Sequence, residues 1–373
     1  MPPEPAYYPP EIISLICDEI EDRQTAARLG RVSRTFVDVA QRVLYHTVDL
    51  VGLPQRPVAS WLSVVTRNAR LANWVHSLSI QIPDPLSLQA KEAQAFAAAF
   101  RACVNLKELN TSCYGPKPTS SSTSTWMLED CSFRLTTFVD SYFAFSMLED
   151  FLSTQTELRV IVAPDFPSAA YFGEELDLPT LPNLVALCAN IHSLPRHHPL
   201  QRIETTINRT DFPQLSKLAC YSNTLTTLNV VASTESWATT GPPLPADIIR
   251  AVGAACPALR HLALTERPIG RVAWPFLRKC FPQNTARLSG CFNHFTHLET
   301  FACIGSREIA KPVLPDTTRL IAGTCATLRR VTISLLAPKR SCTATREVVG
   351  GPITVDEEDC GLILDDVSMF WVE

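Results

Sequence analysis

The segment Leu259-Arg260-His261-Leu262-Ala263-Leu264 contains the pattern that decides the predicted fold. Its second and third leucines stand at alternate positions, which places them on one face of a short strand. The pattern returns in Leu225-Thr226-Thr227-Leu228-Asn229-Val230 and in Leu298-Glu299-Thr300-Phe301. One such strand cannot bury its apolar side alone, so we expect the copies to stack side by side. Further copies begin at Val75, Leu106, Leu135, Leu158, Leu184 and Leu328.

Helical segments are predicted between these strands. Gln89–Cys103 is rich in alanine, and Ser146–Ser153 and Ala246–Cys256 carry apolar residues at helical spacing. Each segment comes shortly before the next strand, as a strand–helix repeat requires. The sequence therefore predicts the α/β class, with a parallel sheet and helices behind it.

The N-terminal residues 9–46 are predicted to form three short helices. Pro9-Pro10 opens the first helix, where a missing N–H costs nothing. Asp22 is expected to cap the second helix and Ser33 the third. The first helix is apolar over more than one stripe, so its apolar excess either packs against the following strands or serves as a docking surface. Its apolar residues are Ile12, Ile13, Leu15, Ile16 and Ile20.

The stretch Tyr8-Pro9-Pro10-Glu11-Ile12-Ile13, followed later by Val32-Ser33-Arg34-Thr35-Phe36, resembles the F-box motif. Tyr8 stands where the family usually has Leu, and Phe36 where Trp is common. The resemblance implies an F-box-like docking module over residues 1–50 that binds the Skp-type adaptor of a cullin–RING ubiquitin ligase. By position, the implied adaptor contacts are Pro9, Pro10, Ile12, Ile13, Leu15, Ile16, Val32, Ser33 and Phe36.

The remaining residues 51–373 are similar to leucine-rich repeats. The joints Cys256-Pro257-Ala258-Leu259 and Leu181-Pro182-Asn183-Leu184 resemble those of F-box leucine-rich proteins. The resemblance implies an irregular leucine-rich-repeat-like solenoid that binds a target protein. The low-complexity segment 115–125 is predicted to be a mobile loop. Because the copies vary in length and lack an asparagine ladder, an ordinary α/β domain remains the alternative.

Composition restricts the function classes. Hydrophobic residues make up 46% and charged residues 19%, which is typical of a globular protein. The net charge of −4 argues against a nucleic-acid partner, and no apolar run is long enough to cross a membrane. The 13 cysteines are widely spaced without a CxxC pair, which favours reduced thiols in a cytoplasmic or nuclear protein and predicts no metal site. His197-His198 is interpreted as a surface turn.

The sequence contains no catalytic motif that indicates an enzyme, and it predicts no cofactor. We therefore expect a non-catalytic substrate-recognition subunit of an SCF-type ubiquitin ligase, which holds an unidentified protein substrate. The alternative is a repeat-type scaffold without a ligase role, in which the N-terminal helices cap the repeats.

Overall fold

A computed structural model of the chain describes residues 12, 15, 19–20, 22–32, 34–84, 87–114, 124–143, 147–163, 181–196, 198–207, 211–233, 245–267, 290–305, 313–336 and 339–358. The chain divides into two compact units. Unit 1 comprises Met1–Arg159 with Pro179–Asn183, and unit 2 comprises Val160–Leu178 with Leu184–Glu373. The protein is α/β, as predicted, and the thirteen strands among its described residues are mostly parallel.

Unit 1 alternates helices with a parallel sheet. Its strands pair in chain order, with Leu78, Leu109 and Phe138 in register on one face. The ring of Phe138 packs against Phe151, with centroids 5.7 Å apart, so this face is covered by a helix. The helices are α1 Arg23–Val32, α2 Arg34–His46, α3 Gln55–Arg67, α4 Ala69–Ala72, α5 Ala90–Ala102 and α6 Glu149–Thr154. The strands are β1 Thr47–Asp49, β2 Ser77–Pro83, β3 Glu108–Tyr114 and β4 Thr137–Asp140.

Unit 2 contains a longer sheet. Its strands are β5 Val160–Val162, β6 Ala186–Asn190, β7 Arg202–Ile207, β8 Thr227–Ser233, β9 His261–Arg267, β10 Thr300–Gly305, β11 Arg330–Leu336, β12 Lys339–Thr345 and β13 Thr354–Glu358. Strands β5 to β11 pair in parallel in chain order, whereas β12 and β13 form antiparallel pairs. Among the described residues of this unit there are two α-helices, α7 Pro245–Ala255 and α8 Val313–Thr324.

One face of the unit 2 sheet forms the core. Ile203, Leu228 and Leu262 are in register on adjacent strands, and each is at most 1% exposed. Helix α8 lies on this side, because Thr318 forms a hydrogen bond with Cys342, which is in register with the buried Ile333. Side chains alternate along a strand, so the neighbouring positions point to the opposite face of the sheet.

One hydrogen-bonded junction recurs before successive strands. The carbonyl of Thr226 accepts the N–H groups of two consecutive residues, Arg260 at 3.0 Å and His261 at 2.9 Å. The carbonyl of Arg260 accepts those of Glu299 and Thr300 in the same way. Because each copy places two N–H groups on one carbonyl, successive strands begin in the same register. The same pair of bonds is made to the carbonyls of His76, Lys107, Val185, Gln201 and Glu299.

Most predicted strands are confirmed within a few residues, but the sequence did not predict β1, β7, β12 or β13. Strand β7 lies between the predicted copies at Leu184 and Leu225 and has no Leu-x-x-Leu pattern. A 3₁₀ helix that begins at Ser124 overlaps the last two residues of the loop predicted at 115–125, and residues 115–123 lie outside the described residues.

The C-terminal end also differs from its prediction. The closing strands expected at 361–364 and 370–372 lie outside the described residues. The described part of the chain closes instead with the hairpin of β12 and β13. The interpretation of His198 as a surface residue is wrong, because its side chain is 9% exposed; His197 lies outside the described residues.

Candidate functional site

The helix pair α1–α2 is held by small residues and one cap. Asp22 caps α1, as predicted, by accepting the N–H of Thr25 at 2.9 Å and that of Gln24 at 3.1 Å. Ala40 of α2 is almost fully buried, and a Cβ added to Gly30 of α1 would lie only 3.3 Å from the Cβ of Ala40. The two helices therefore approach closely through small side chains, as the absence of a Cβ at Gly30 allows.

The described members of the predicted adaptor-binding set are largely exposed. Ile12 is 42% exposed, Leu15 61% and Val32 74%, whereas Phe36 is half-buried. Ile12 and Leu15 are both in helical conformation. The other predicted contacts lie outside the residues that the structure describes: Pro9, Pro10, Ile13, Ile16 and Ser33.

Two contacts tie α2 to the residues that follow it. Asp38 forms an ion pair with Arg70 at 2.7 Å, and the ring of His46 stacks on that of His76 with centroids 4.5 Å apart. The guanidinium of Arg70 also lies 4.9 Å from the ring centroid of Trp74. Helix α2 is thus anchored to unit 1 by polar and aromatic contacts that leave Leu15 and Val32 exposed.

A row of basic and hydroxyl side chains crosses the sheet face of unit 2 that points away from the helices. The strand register aligns Arg202, Thr227, His261, Thr300 and Arg330 on β7 to β11. We call Arg202, His261 and Arg330 the basic row. Neighbouring strands lie about 4.8 Å apart, so successive members of the basic row are about 9.6 Å apart.

The junction bonds fix the backbone of the basic row. Arg202, His261 and Arg330 each supply the second N–H of a junction, to Val185, Thr226 and Glu299 respectively. Their Cα positions are therefore set by backbone hydrogen bonds, independently of what their side chains contact. Arg330 is exposed, while Arg202 and His261 are half-buried.

The electrostatics of the basic row centre on His261. Burial lowers the pKa of the His261 imidazole, and its Nδ1 lies 2.9 Å from the Thr300 hydroxyl. Arg260 donates two hydrogen bonds to Glu299, at 2.9 and 2.6 Å, and these hold the pKa of the Glu299 carboxyl below its usual value. The Glu299 carboxylate, which lies next to His261, is therefore already hydrogen-bonded to the guanidinium of Arg260.

A second polar group lies farther along the same sheet face. Glu204 accepts a hydrogen bond from the amide of Asn229 at 2.8 Å and one from the thiol of Cys188 at 3.4 Å. Asn229 in turn accepts one from the hydroxyl of Thr265 at 3.3 Å. Both oxygens of Glu204 are thus engaged, which makes this group a structural network in the sheet.

A cleft of about 980 Å³ lies between α3 and α5 in unit 1. The cleft is open because both helices carry small side chains there, among them Ala59 on α3 and Ala98 on α5. Its size is that of small-molecule sites. Its one carboxylate, Glu92, is already bonded to the Gln55 amide and the Gln89 N–H. The Glu92 carboxylate in the cleft lining is therefore already engaged in hydrogen bonds within the protein.

The described cysteines are free thiols, and most of them are buried. Burial raises the pKa of four thiols to about 12, so these are unreactive at neutral pH. In the described part of the chain, no three His, Cys, Asp or Glu side chains cluster closely enough to hold a metal ion. The four thiols with raised pKa are those of Cys103, Cys131, Cys256 and Cys291.

Sequence reasoning did not find the basic row. Arg202 lies on β7, which was not predicted. Without that strand, the alignment of Arg202 with His261 and Arg330 cannot be derived from the sequence. The signal in the sequence is the alternation in Arg202–Ile207, whose isoleucines are buried and whose intervening residues are polar.

No family model matches this chain, and no curated protein matches it at a significant level. Among the described residues, the helices are too short or too polar to cross a bilayer.

Proposed function

We propose that the protein is a non-catalytic adaptor that joins a Skp-type subunit of a cullin–RING ubiquitin ligase to a target protein. The N-terminal helices bind the Skp-type subunit, and the strand-rich part of the chain holds the target. The observation that carries the proposal is the exposure of Leu15 and Val32, two large apolar side chains in the segment that resembles an F-box. Exposed apolar groups concentrated in one small module favour a protein-binding surface.

Such a surface offers apolar area that a partner can bury. Burying one leucine or valine side chain contributes about 1.5–3 kcal/mol, and three of them contribute several times the thermal energy. Ile12, Leu15 and Val32 are each at least 42% exposed, so much of this gain is still available to a partner. The close packing of Gly30 against Ala40 keeps α1 and α2 together without using these side chains.

The recurring junction supports a repeat solenoid as the target-binding part. In the described part of the chain, seven carbonyls each accept two consecutive N–H groups, from His76 in unit 1 to Glu299 in unit 2. A structural unit that recurs with one set of backbone bonds is what a leucine-rich-repeat-like architecture requires. The varied segments between the junctions account for the irregular repeat length in the sequence.

The mechanism of this adaptor is proximity. A target bound to one part of the chain is held near a ubiquitin-charged partner bound through the other, which raises their effective concentration. The adaptor itself makes or breaks no covalent bond.

A scaffold without a ligase role is the second candidate. The Asp38–Arg70 ion pair and the stacking of His46 on His76 favour it, because a cap must be fixed to the repeats it covers. A cap also has to bury its apolar residues, and the exposure of Leu15 favours the first proposal.

Size-exclusion chromatography of the purified chain mixed with a Skp-type adaptor tests the proposal. We expect co-elution with the wild-type chain and its loss with Ile12→Asp or Ile16→Asp. Val104→Asp is the matched control, since Val104 is also 42% exposed but lies outside the module. Separate elution of the wild-type chain would contradict the ligase role.

A further inference from the structure

The cleft between α3 and α5 runs along both helices. Each helix lines it with residues at helical spacing, which form one stripe along the side of the helix. Both helices precede strands that pair in parallel, and the side chain of Gln55 at the start of α3 is bonded to that of Glu92 near the start of α5. The two helices therefore run side by side in the same direction, and the cleft is a groove between them. The stripes are Gln55, Ala59, Leu62 and Thr66 on α3, and Lys91, Ala95 and Ala98 on α5.

The centre of the groove is apolar. Its deepest lining residues are the buried Val58, Leu62 and Phe96. The alanines of the two stripes are exposed or half-buried and too short to cover this apolar bottom. At one end, Leu53 also lines the groove and is 43% exposed. The groove therefore offers apolar surface that a partner can remove from water.

Positive charge lies at both ends of the groove. Lys91 is at the start of α5, and Arg67 is the last residue of α3, about 18 Å farther along the groove at about 1.5 Å per residue. Both are exposed, and neither forms an ion pair or hydrogen bond with another described residue. Glu92, the third charged residue of the lining, accepts hydrogen bonds from the Gln55 amide and the Gln89 N–H. The groove thus favours a ligand that is negative at both ends.

The size of the groove matches one half of a helix. A volume of about 980 Å³ over a length of about 18 Å gives a mean cross-section of about 54 Å². A helix with its side chains is about 10–12 Å in diameter, so half of it has a cross-section of about 40–57 Å². An amphipathic helix therefore fills the groove with its apolar face and keeps its polar face in water. A small ligand with a single anionic group would meet only one of the two cations.

The separation of the two cations sets the positions of the acidic residues on such a helix. Residues eleven apart are about 16.5 Å apart along the helix axis and differ by only about 20° around it. Apolar residues at i+4, i+7 and i+8 lie between them on the same face. The pattern that fits the groove is therefore an acidic residue at i and at i+11, with apolar residues at these intermediate positions.

We infer that the groove between α3 and α5 binds an amphipathic helix of a partner protein that carries this pattern. Lys91 and Arg67 attract its two acidic side chains, and its apolar face packs on Leu62 and Phe96. The lining residues lie between Gly52 and Ala98, outside the N-terminal docking module. The inference therefore goes beyond the proposed function and does not depend on it.

Fluorescence anisotropy with two labelled 16-residue peptides tests this inference on the full chain. Both peptides have leucines at positions 6, 9 and 10 in an Ala/Gln background. The matched peptide has glutamates at positions 2 and 13, and the control peptide at 4 and 15, about 200° away on the opposite helix face. We expect the matched peptide to bind at least about fivefold more tightly at low salt. Equal affinity for the two peptides would overturn the inference.

Substitutions in the groove locate the site. Ala59→Phe fills the groove from an exposed position of α3 and is expected to weaken the matched peptide about tenfold or more. Ser60→Phe, at the next exposed position and outside the groove lining, is expected to bind like the wild type. Arg67→Gln with Lys91→Gln should abolish the preference between the peptides, with the melting temperature measured to confirm folding. Equal weakening by the two phenylalanine variants, or a preference that survives loss of the charges, would contradict the inference.

Two other occupants are tested in parallel. Sedimentation velocity of the chain alone is expected to show a monomer, and oleate is expected to leave the matched peptide bound. A dimer that Ala59→Phe dissociates would assign the groove to a second copy of the chain. Displacement of the peptide by oleate at a lower concentration than by unlabelled peptide would assign the groove to a small amphiphile. Either result would overturn the inference.

The peptide experiment requires no ubiquitin-ligase component. Binding of the matched peptide without co-elution of the Skp-type adaptor would keep this inference and remove the ligase role. Co-elution without a preference for the matched peptide would remove this inference alone.

Discussion

Asn229 donates its side-chain amide to the carboxylate of Glu204 on the neighbouring strand, at 2.8 Å. Asn229 is 3% exposed and Glu204 half-buried, so water replaces this bond poorly. The two residues face away from the helices, where a leucine-rich-repeat-like sheet would meet its target. The pair therefore stabilises the sheet from that face.

Removal of this bond has a measurable cost. Asn229→Ala leaves one oxygen of Glu204 without its donor, and we expect the free energy of unfolding to fall by about 1–3 kcal/mol. Urea unfolding followed by circular dichroism measures the change. Asn223→Ala, at an exposed turn position, is the control and is expected to stay within about 0.5 kcal/mol. Equal effects of the two substitutions would show that the Asn229 amide contributes nothing.

The close approach of α1 to α2 predicts a steric effect at Gly30. Replacing a helical glycine gains about 1 kcal/mol of helix propensity, but a leucine side chain must displace Ala40, and such overpacking costs about 1–3 kcal/mol. We therefore expect Gly30→Leu to lower the thermal stability of the helix pair, measured by differential scanning calorimetry. Ala27→Leu, on the exposed side of α1, should leave it unchanged; a stabilised Gly30→Leu variant would contradict the packing.

The C-terminal end of α8 depends on Arg346. Its guanidinium donates hydrogen bonds to the carbonyl of Ala322 in the last turn of α8 and to those of Cys325 and Ala326 just after the helix, at 3.1 to 3.4 Å. A cation at this end of a helix is favourable. Arg346→Met keeps the length of the side chain but removes the donors, so we expect a loss of about 1.5–3 kcal/mol in urea unfolding. Arg319→Met, at an exposed position of α8, is expected to have little effect. A loss in Arg319→Met as large as that in Arg346→Met would contradict the capping role.

Burial lowers the pKa of His261, which predicts a pH dependence of stability. The unfolded chain binds a proton near pH 6.5, while the folded chain resists protonation at this position until lower pH. The contribution of His261 to the free energy of unfolding is therefore present above about pH 6.5 and is lost as the pH falls below that value. Urea unfolding at pH 7.5, 6.5 and 5.5 should show a steeper decline for the wild type than for His261→Gln. Parallel declines would contradict the assignment.

The sequence predicted the parts of the fold that depend on short-range apolar patterns. The copies at Leu225 and Leu259 form the neighbouring strands β8 and β9, as predicted, and their buried leucines lie where the pattern placed them. Strand β7 escaped prediction because its apolar residues, Ile203 and Ile207, are four apart and the segment lacks the leucine anchor.

The candidate surfaces could be predicted only in part. The exposure of Leu15 and Val32 follows from packing, which a single sequence does not specify; the motif resemblance identified the residues but not their accessibility. The basic row depends on the register between strands separated by many residues, such as His261 and Thr300. Long-range register is set by the junction bonds of the folded chain and has no local sequence signature.

The central claim is that the N-terminal helices bind a Skp-type adaptor, and isothermal titration calorimetry with purified proteins tests it most directly. Leu15→Asp and Val348→Asp are a matched pair, because Leu15 is 61% and Val348 66% exposed, and Val348 follows β12 in unit 2. We expect the wild type and Val348→Asp to bind the adaptor with equal affinity. Leu15→Asp should bind at least about tenfold more weakly, since it loses the burial of one leucine and places a carboxylate in an apolar interface. Equal affinity of Leu15→Asp and the wild type, or no heat of binding for the wild type, would contradict the account.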